Sequence, residues 1–268
     1  MFQIFTDRGR QPVRECLKTT AKTMEALVFP DQCLSCRALL PRAGETEPSD
    51  LRFFCAACRA KGIPEFSSPF CQKCGQRFDT GENHLCETCL ADPSAIHQVR
   101  AALVYQGLVP DILALFKYHA RLSLTRYFDV LMFHAFDRYF STTDIHWIVP
   151  VPLHPKKLRQ RGFNQSALLV RRLADRYFAE YGTRPGWQVN PALLKRVRHT
   201  ASQTGLDNAS RKTNLKNAFQ VTDDTRIQGT NVLLVDDVFT TGATCGEAAR
   251  TLVAAGAEQV DVLVLARA

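Results

Sequence analysis

Several signals that would assign this chain quickly are missing, and each absence removes a class. No run of 18 apolar residues occurs, so nothing reads as a transmembrane helix. Residues 1–8 lack the charged, apolar and small-residue succession of a secretory leader, which predicts a cytoplasmic setting and argues against a disulfide framework. Internal repeats and low-complexity tracts are also absent. Acidic residues are scarce in one region only. Residues 1–95 hold 12 basic and 12 acidic side chains, whereas residues 156–212 hold 13 Lys and Arg against Asp175, Glu180 and Asp207. The net charge of +8 therefore arises beyond residue 95 and predicts a polyanionic partner. Phe163 and Trp187 are the aromatic stacking candidates beside the basic clusters of that stretch, and so few weaken single-stranded DNA as the polyanion.

Cysteine, by contrast, is abundant. Eight of the ten cysteines form Cys-x-x-Cys pairs: Cys33/Cys36, Cys55/Cys58, Cys71/Cys74 and Cys86/Cys89. A tight turn with that spacing aims two thiolates at one tetrahedral ion, and a second such knuckle completes a four-sulfur shell for Zn²⁺. The intervals between successive pairs are 18, 12 and 11 residues, and the first lies within the zinc-ribbon range. Sequential pairing gives one site from the first four cysteines and a second from the last four, while nested pairing stays open. Gly75, directly after Cys74, suits a knuckle turn that needs a left-handed residue. A thioredoxin-like redox pair would need a βαβ context, and residues 30–95 are instead rich in turn formers. His84 reads as a bystander. Cys245 reads as a small packing residue at a helix start, although a helix dipole there favours the thiolate.

At residue 99 the pattern changes to strands alternating with helices, the signature of a parallel sheet. Strands are predicted over 99–105, 145–151, 193–196, 232–235 and 260–265, and helices over 13–28, 110–118, 122–140, 164–181 and 242–252. The predicted division is a tail and helix at 1–29, a double zinc ribbon at 30–95 and an α/β domain at 96–268.

The densest signal follows the strand Val232-Leu-Leu-Val235. Asp236 and Asp237 arrive at its carboxyl end, where open α/β sheets bind ligands. Val238 and Phe239 lead into Thr240, Thr241, Gly242, Ala243 and Thr244, a turn that opens a helix. Amides at a helix N-terminus, with the positive end of the dipole behind them, favour a phosphate. Two acids beside a phosphate repel it unless they face neutral hydroxyls or a bridging Mg²⁺. A sugar phosphate meets both demands. Neither a Walker A lysine nor a Rossmann fingerprint is present. The plainer alternative is a buried strand followed by a helix cap, which does not call for two adjacent acids and three threonines.

Two basic segments are candidates to complete the site. The first runs from Pro150 through Lys156, Lys157, Arg159 and Arg161 to Asn164 and Gln165, and reads as a charged turn suited to pyrophosphate. The second, with Arg196, Thr200, Gln203, Arg211 and Asn214, is long, polar and basic, as a closing lid would be. A solvated basic surface is the alternative for both.

The Val232–Thr244 segment resembles the phosphoribosyl pyrophosphate (PRPP) motif of type I phosphoribosyltransferases. Eight paired cysteines, Pro150-Val-Pro-Leu153, Arg161-Gly-Phe-Asn-Gln165, then Arg196, Thr200, Gln203, Arg211 and Asn214, and finally that motif, together resemble the ComF/GntX family of competence-associated phosphoribosyltransferase-like proteins. The resemblance implies a double zinc ribbon joined to a type I phosphoribosyltransferase fold, in a cytoplasmic protein with a role in natural transformation or DNA use. By it, Asp236 and Asp237 hold the ribose hydroxyls and residues 240–244 the 5′-phosphate, with Mg²⁺ accompanying PRPP. The reaction expected is displacement of pyrophosphate from ribose C1 by a nitrogen nucleophile, with no general base evident. A non-catalytic PRPP or nucleotide sensor, a single-stranded-DNA-binding factor, or an adaptor docking on competence proteins are the alternatives. The family leaves the acceptor undefined.

Overall fold

The computed structural model describes residues 32–33, 35–40, 54–91, 94–118, 121–198 and 215–268. The helix expected over 13–28, Cys16, the loop at 41–50, and Thr200, Gln203, Arg211 and Asn214 of the basic stretch lie outside the described residues. The chain divides into two compact units, Met1–Gly62 and Ile63–Ala268. One cysteine-knuckle pair lies in each unit, so the second pair shares a unit with the sheet.

In the first unit, Cys55 caps the short helix α1 (Ala56–Arg59), its sulfur accepting the Cys58 amide at 3.4 Å. Opposite it, the Cys33–Cys36 knuckle closes through Arg37 N to Cys33 O and Cys33 N to Ala38 O, both 2.8 Å.

The second unit begins with the other knuckles and the helix α2 (Glu87–Ala91). Five strands then form one wholly parallel sheet: β1 (Val99–Val104), β2 (Trp147–Pro150), β3 (Gln188–Val189), β6 (Asn231–Phe239) and β7 (Gln259–Arg267), in the spatial order β1-β7-β6-β2-β3. A separate antiparallel pair, β4 (Leu194–Arg196) and β5 (Phe219–Val221), flanks the 199–214 segment in sequence. The two central strands are apolar without alternation because helices cover both of their faces, and Val232 to Val235 are at most 1% exposed.

Helices α3 (Val109–Tyr118) and α4 (Thr125–Phe140) link β1 to β2, with a 3₁₀ turn at Leu122–Leu124 that the predicted single helix over 122–140 did not anticipate. Three helices follow β2: α5 (Pro155–Arg161), α6 (Gln165–Val170) and α7 (Leu173–Tyr181). The helix predicted over 164–181 is thus two. The break at Arg172 (φ −111°, ψ 10°) lets α6 lie against β6 while α7 lies against α4. Helix α8 (Ala243–Ala254) connects β6 to β7.

The basic segment read as a turn is helix α5. His154 Nδ1 accepts the Lys156 amide at 3.2 Å, Pro155 occupies the first turn, and Gly162 at φ 83° ends the helix. Strand β6 also runs four residues past its apolar core, so both aspartates stand inside it. Asp236 pairs with Val264 and Val238 with Ala266 of β7, and this ladder holds the backbone extended. Strands β3 and β5 are too short to leave a periodic trace in the sequence.

A candidate sugar-phosphate site and two candidate metal centres

From β2 the chain moves outward to β3, and from β6 it moves the other way to β7. The order of the sheet therefore reverses between β2 and β6, and the carboxyl ends of strands at such a switch point are where open α/β sheets take ligands. Asp236, Asp237 and residues 240–244 lie at the β6 side, and α5 follows the β2 side.

The two acids differ in surroundings because neighbouring strand residues project to opposite faces. Asp236 Oδ1 accepts the Ser166 hydroxyl from α6 at 2.9 Å and the Asp237 amide at 2.9 Å. Its Oδ2 lies 3.9 Å from Cys245 Sγ on α8. Burial, and then repulsion from Asp237, push the Asp236 carboxyl up to about 6, against the opposing pull of the Asp237 amide, Ser166 and Lys117. Asp237 Oδ1 pairs with Lys117 Nζ at the end of α3, 3.0 Å away. Its Oδ2 is buried and has no hydrogen-bond partner, and the same is true of Gln165 Oε1. Orphaned buried acceptors carry a desolvation cost that a ligand hydroxyl or amide can remove.

The turn after β6 is held from behind. Arg267, at the end of β7, donates Nη1 to Phe239 O at 3.3 Å and Thr240 O at 3.2 Å, and Nε to Cys74 O at 2.9 Å. In a trans peptide the N–H opposes the C=O, so the amides of Thr240 and Thr241 point away from Arg267. Gly242 takes φ 74° as the cap of α8, and a Cβ there would stand 2.5 Å from Phe239 Cζ. Only glycine fits that turn. The first turn of α8 has no intrahelical acceptors for its amides, of which Ala243 N turns to Thr241 Oγ1 at 3.5 Å, and the positive end of the helix dipole lies behind them.

Among the pyrophosphate candidates, Arg161 lies with its guanidinium 5.6 Å from the Tyr118 ring centre, which brings α5 against the end of α3. Lys157 is drawn below its usual pKa by partial burial and by the positive field of Arg161, Arg196 and Lys117. Burial likewise lowers Arg196, with Asp236 pulling the other way. These cations therefore share one electrostatic neighbourhood with the acid pair. Lys156 is exposed on α5. Asn164 serves the scaffold, because its side chain caps α6 at Ser166 N and ties back to Val151 O, both at 3.1 Å. Cys245 is buried, and burial followed by the two carboxylates raises its thiol well above the ordinary range, so it packs as a neutral group.

Three contributors escaped the sequence reading. Lys117 sits in an otherwise apolar Phe-Lys-Tyr run, Ser166 directly follows Gln165, and Arg267 is a lone cation closing an apolar strand. For Lys117 and Arg267 a charge inside a buried pattern was the available signal.

Both cysteine quartets assemble sequentially. Cys33, Cys36, Cys55 and Cys58 form one cluster and Cys71, Cys74, Cys86 and Cys89 the other, with all sulfurs of a cluster within 4.8 Å of one another. Tetrahedral Zn²⁺ with Zn–S bonds of about 2.3 Å sets sulfurs about 3.8 Å apart. Cys36 and Cys55 stand at 3.6 Å, and Cys74 and Cys86 at 3.7 Å. Burial pushes the Cys71 thiol up, but the amides of Cys74, Cys86 and Lys73 outweigh it and bring it down to about 6. Cys33 is brought to about 6 by the same balance, with amides of Cys36, Cys55 and Ser35. The donor set fits a structural Zn²⁺ in each cluster. His84 stacks on Phe78 at 4.0 Å and is a bystander. Gly75 adopts φ 67° with room for no Cβ, which would meet Val99 O at 2.9 Å.

A sequence profile described as a double zinc ribbon domain matches residues 24–90. The chain is 30% identical over 247 residues to competence protein F of Haemophilus influenzae, covering 90% of this chain and 98% of that one. It is 31% identical over 201 residues to the DNA utilization protein YhgH of Escherichia coli, covering 74% and 83% respectively. Among solved structures, the allosteric regulatory enzyme of purine biosynthesis aligns at 18% identity over 56% of this chain and 29% of that one. Its TM-score of 0.35 is too low to carry an argument.

Proposed function

Because this chain belongs to the competence protein F family, we propose that it binds PRPP at the carboxyl ends of β2 and β6 and transfers the phosphoribosyl group to a nitrogen acceptor. The observation that carries this reading is the buried, unpartnered Asp237 Oδ2 beside Asp236, at the foot of a glycine-capped helix start. Asp236 and Asp237 accept the ribose hydroxyls and fix the sugar. The amides of residues 240–244, with the Thr240, Thr241 and Thr244 hydroxyls, hold the 5′-phosphate. Val238, Phe239 and Ala243 shape that turn. Lys156, Lys157, Arg161 and Arg196 face the departing pyrophosphate, and Gln165 offers its orphaned carbonyl to a ligand donor. As the C1–oxygen bond breaks, positive charge builds on the ribose ring and negative charge on pyrophosphate, so the acids and the cations stabilise opposite ends of one transition state. Mg²⁺ bound with the diphosphate would supply charge neutralisation of the leaving group, beside the cations Lys157, Arg161 and Arg196.

The names of the relatives motivate a role in competence and DNA use, with PRPP chemistry or PRPP sensing serving that role. Among the described residues no helix is long and apolar enough to cross a membrane. Titration calorimetry of PRPP with Mg²⁺ tests the site. The wild type is expected to give saturable heat, and Asp236→Asn with Asp237→Asn to weaken binding at least roughly a hundredfold, the loss of two charge-assisted hydrogen bonds. Equal affinity in the double variant would sink the assignment. Pyrophosphate release in a screen of bases and amines then separates transfer from sensing.

A further inference from the structure

We propose that Lys117 is the counter-charge that lets a polyanion dock beside the two carboxylates, acting through Asp237 rather than on the reacting atoms. Its ammonium lies 3.0 Å from Asp237 Oδ1, with the lysine side chain 21% and the aspartate side chain 7% exposed. A pair this sheltered is screened far less than a surface pair. The geometry leaves Oδ2 buried without a hydrogen-bond partner, so Asp237 keeps an acceptor for a hydroxyl while Lys117 offsets its charge. Lys157, which feels both the Arg161 and the Asp237 charge, then has more of its field left for an incoming anion. Asp236, for its part, is served by Ser166 and the Asp237 amide. Without Lys117, Asp237 would present an uncompensated charge from the wall of the crevice and repel the incoming diphosphate.

The identity of the ligand rests on the phosphoribosyl reading, but Lys117 acts through charge alone, so inorganic pyrophosphate is its probe. Calorimetry of pyrophosphate with Mg²⁺ on the full chain compares wild type, Lys117→Gln, Lys117→Arg, Asp237→Asn and the Lys117→Gln/Asp237→Asn double variant. Lys117→Gln is expected to weaken binding roughly tenfold, and Lys117→Arg to stay within about threefold of wild type. The double variant recovers most of the Lys117→Gln loss because it removes the uncompensated acid. A lysine with a purely structural role would give no such recovery.

Wild-type affinity in Lys117→Gln, a double variant no better than Lys117→Gln, or no pyrophosphate binding by the wild type overturns the proposal. Should Lys117→Gln fail to fold, Asp237→Asn decides. Freeing the ammonium is expected to tighten pyrophosphate binding, and unchanged or weaker binding rejects the idea. PRPP forms a separate arm. PRPP bound no more tightly than pyrophosphate removes the phosphoribosyl reading and leaves the Lys117 order standing. Tight PRPP binding with Lys117→Gln unaffected does the reverse.

Discussion

The cysteine quartet of the sheet-bearing unit and the carboxylate crevice of the same unit are both held by groups from separate turns, yet they are built on different scales. The Cys86 amide reaches Cys71 Sγ across 15 positions of sequence. Ser166 reaches Asp236 across 70, and Arg267 reaches the Cys74 carbonyl across 193. A site made by a local turn carries its geometry in residue spacing. A site made by a sheet carries its geometry in topology, and its supporting partners arrive from wherever the chain crosses that sheet. The two regions also meet, because the guanidinium that holds the turn after β6 also holds a knuckle carbonyl.

That junction makes metal removal the strongest test of how separate the regions are. Chelation, or Cys71→Ser, is expected to unfold the second quartet, since binding of a structural Zn²⁺ is worth on the order of 10 kcal/mol to such folds. Thermal unfolding followed by calorimetry should show the loss. Arg267 then loses a partner, and PRPP affinity is expected to fall in parallel. Unchanged PRPP affinity after complete metal release would show the crevice to be independent of the quartet.

A smaller effect is expected from Gly242→Ala, which tests the turn alone. The left-handed backbone and a Cβ 2.5 Å from the Phe239 ring together predict a destabilisation of roughly 2 kcal/mol, with weakened phosphate binding and retained zinc. Denaturant unfolding, with metal content measured beside it, checks both halves. Loss of zinc in this variant would mean that strain passes back along Arg267 into the quartet.

The same contrast explains what the sequence disclosed. Cys-x-x-Cys spacing named the metal ligands, although the choice between sequential and nested pairing needed coordinates, because spacing fixes each knuckle but not which two meet. The acids and glycine-rich turn were legible because one contiguous stretch supplies them. Helix α5 was legible in principle, with Pro155 at its start and Gly162 at its end, but the density of charge between them read as a turn. Lys117 and Ser166 were not legible as partners of Asp237 and Asp236. Each stands on a helix whose placement depends on the strand order, and no short-range pattern encodes that order.

The smallest expected effect concerns Asp236, where function and stability pull in opposite directions. Its carboxyl titrates near 6 in the folded chain, above the value of about 4 for an unfolded aspartate. Between those values the folded state holds the extra proton, so the stabilisation from this group is greatest at low pH and is lost as pH rises through about 6. At pH 8 the wild type carries a buried charge beside a second acid, relieved only in part by the Asp237 amide, Ser166 and Lys117. Asp236→Asn keeps an oxygen for the Ser166 hydroxyl and the Asp237 amide while removing that charge. It is expected to be more stable than wild type at pH 8 by on the order of 2 kcal/mol, with the advantage shrinking towards pH 5. Urea unfolding at pH 5 and pH 8 measures the difference. A variant less stable than wild type at pH 8 would mean that Lys117 and the surrounding cations already compensate the charge in full. The crevice would then hold no strain for a sugar to relieve, and the contrast with the quartet, where backbone amides bring the Cys71 thiol down before any ligand binds, would disappear.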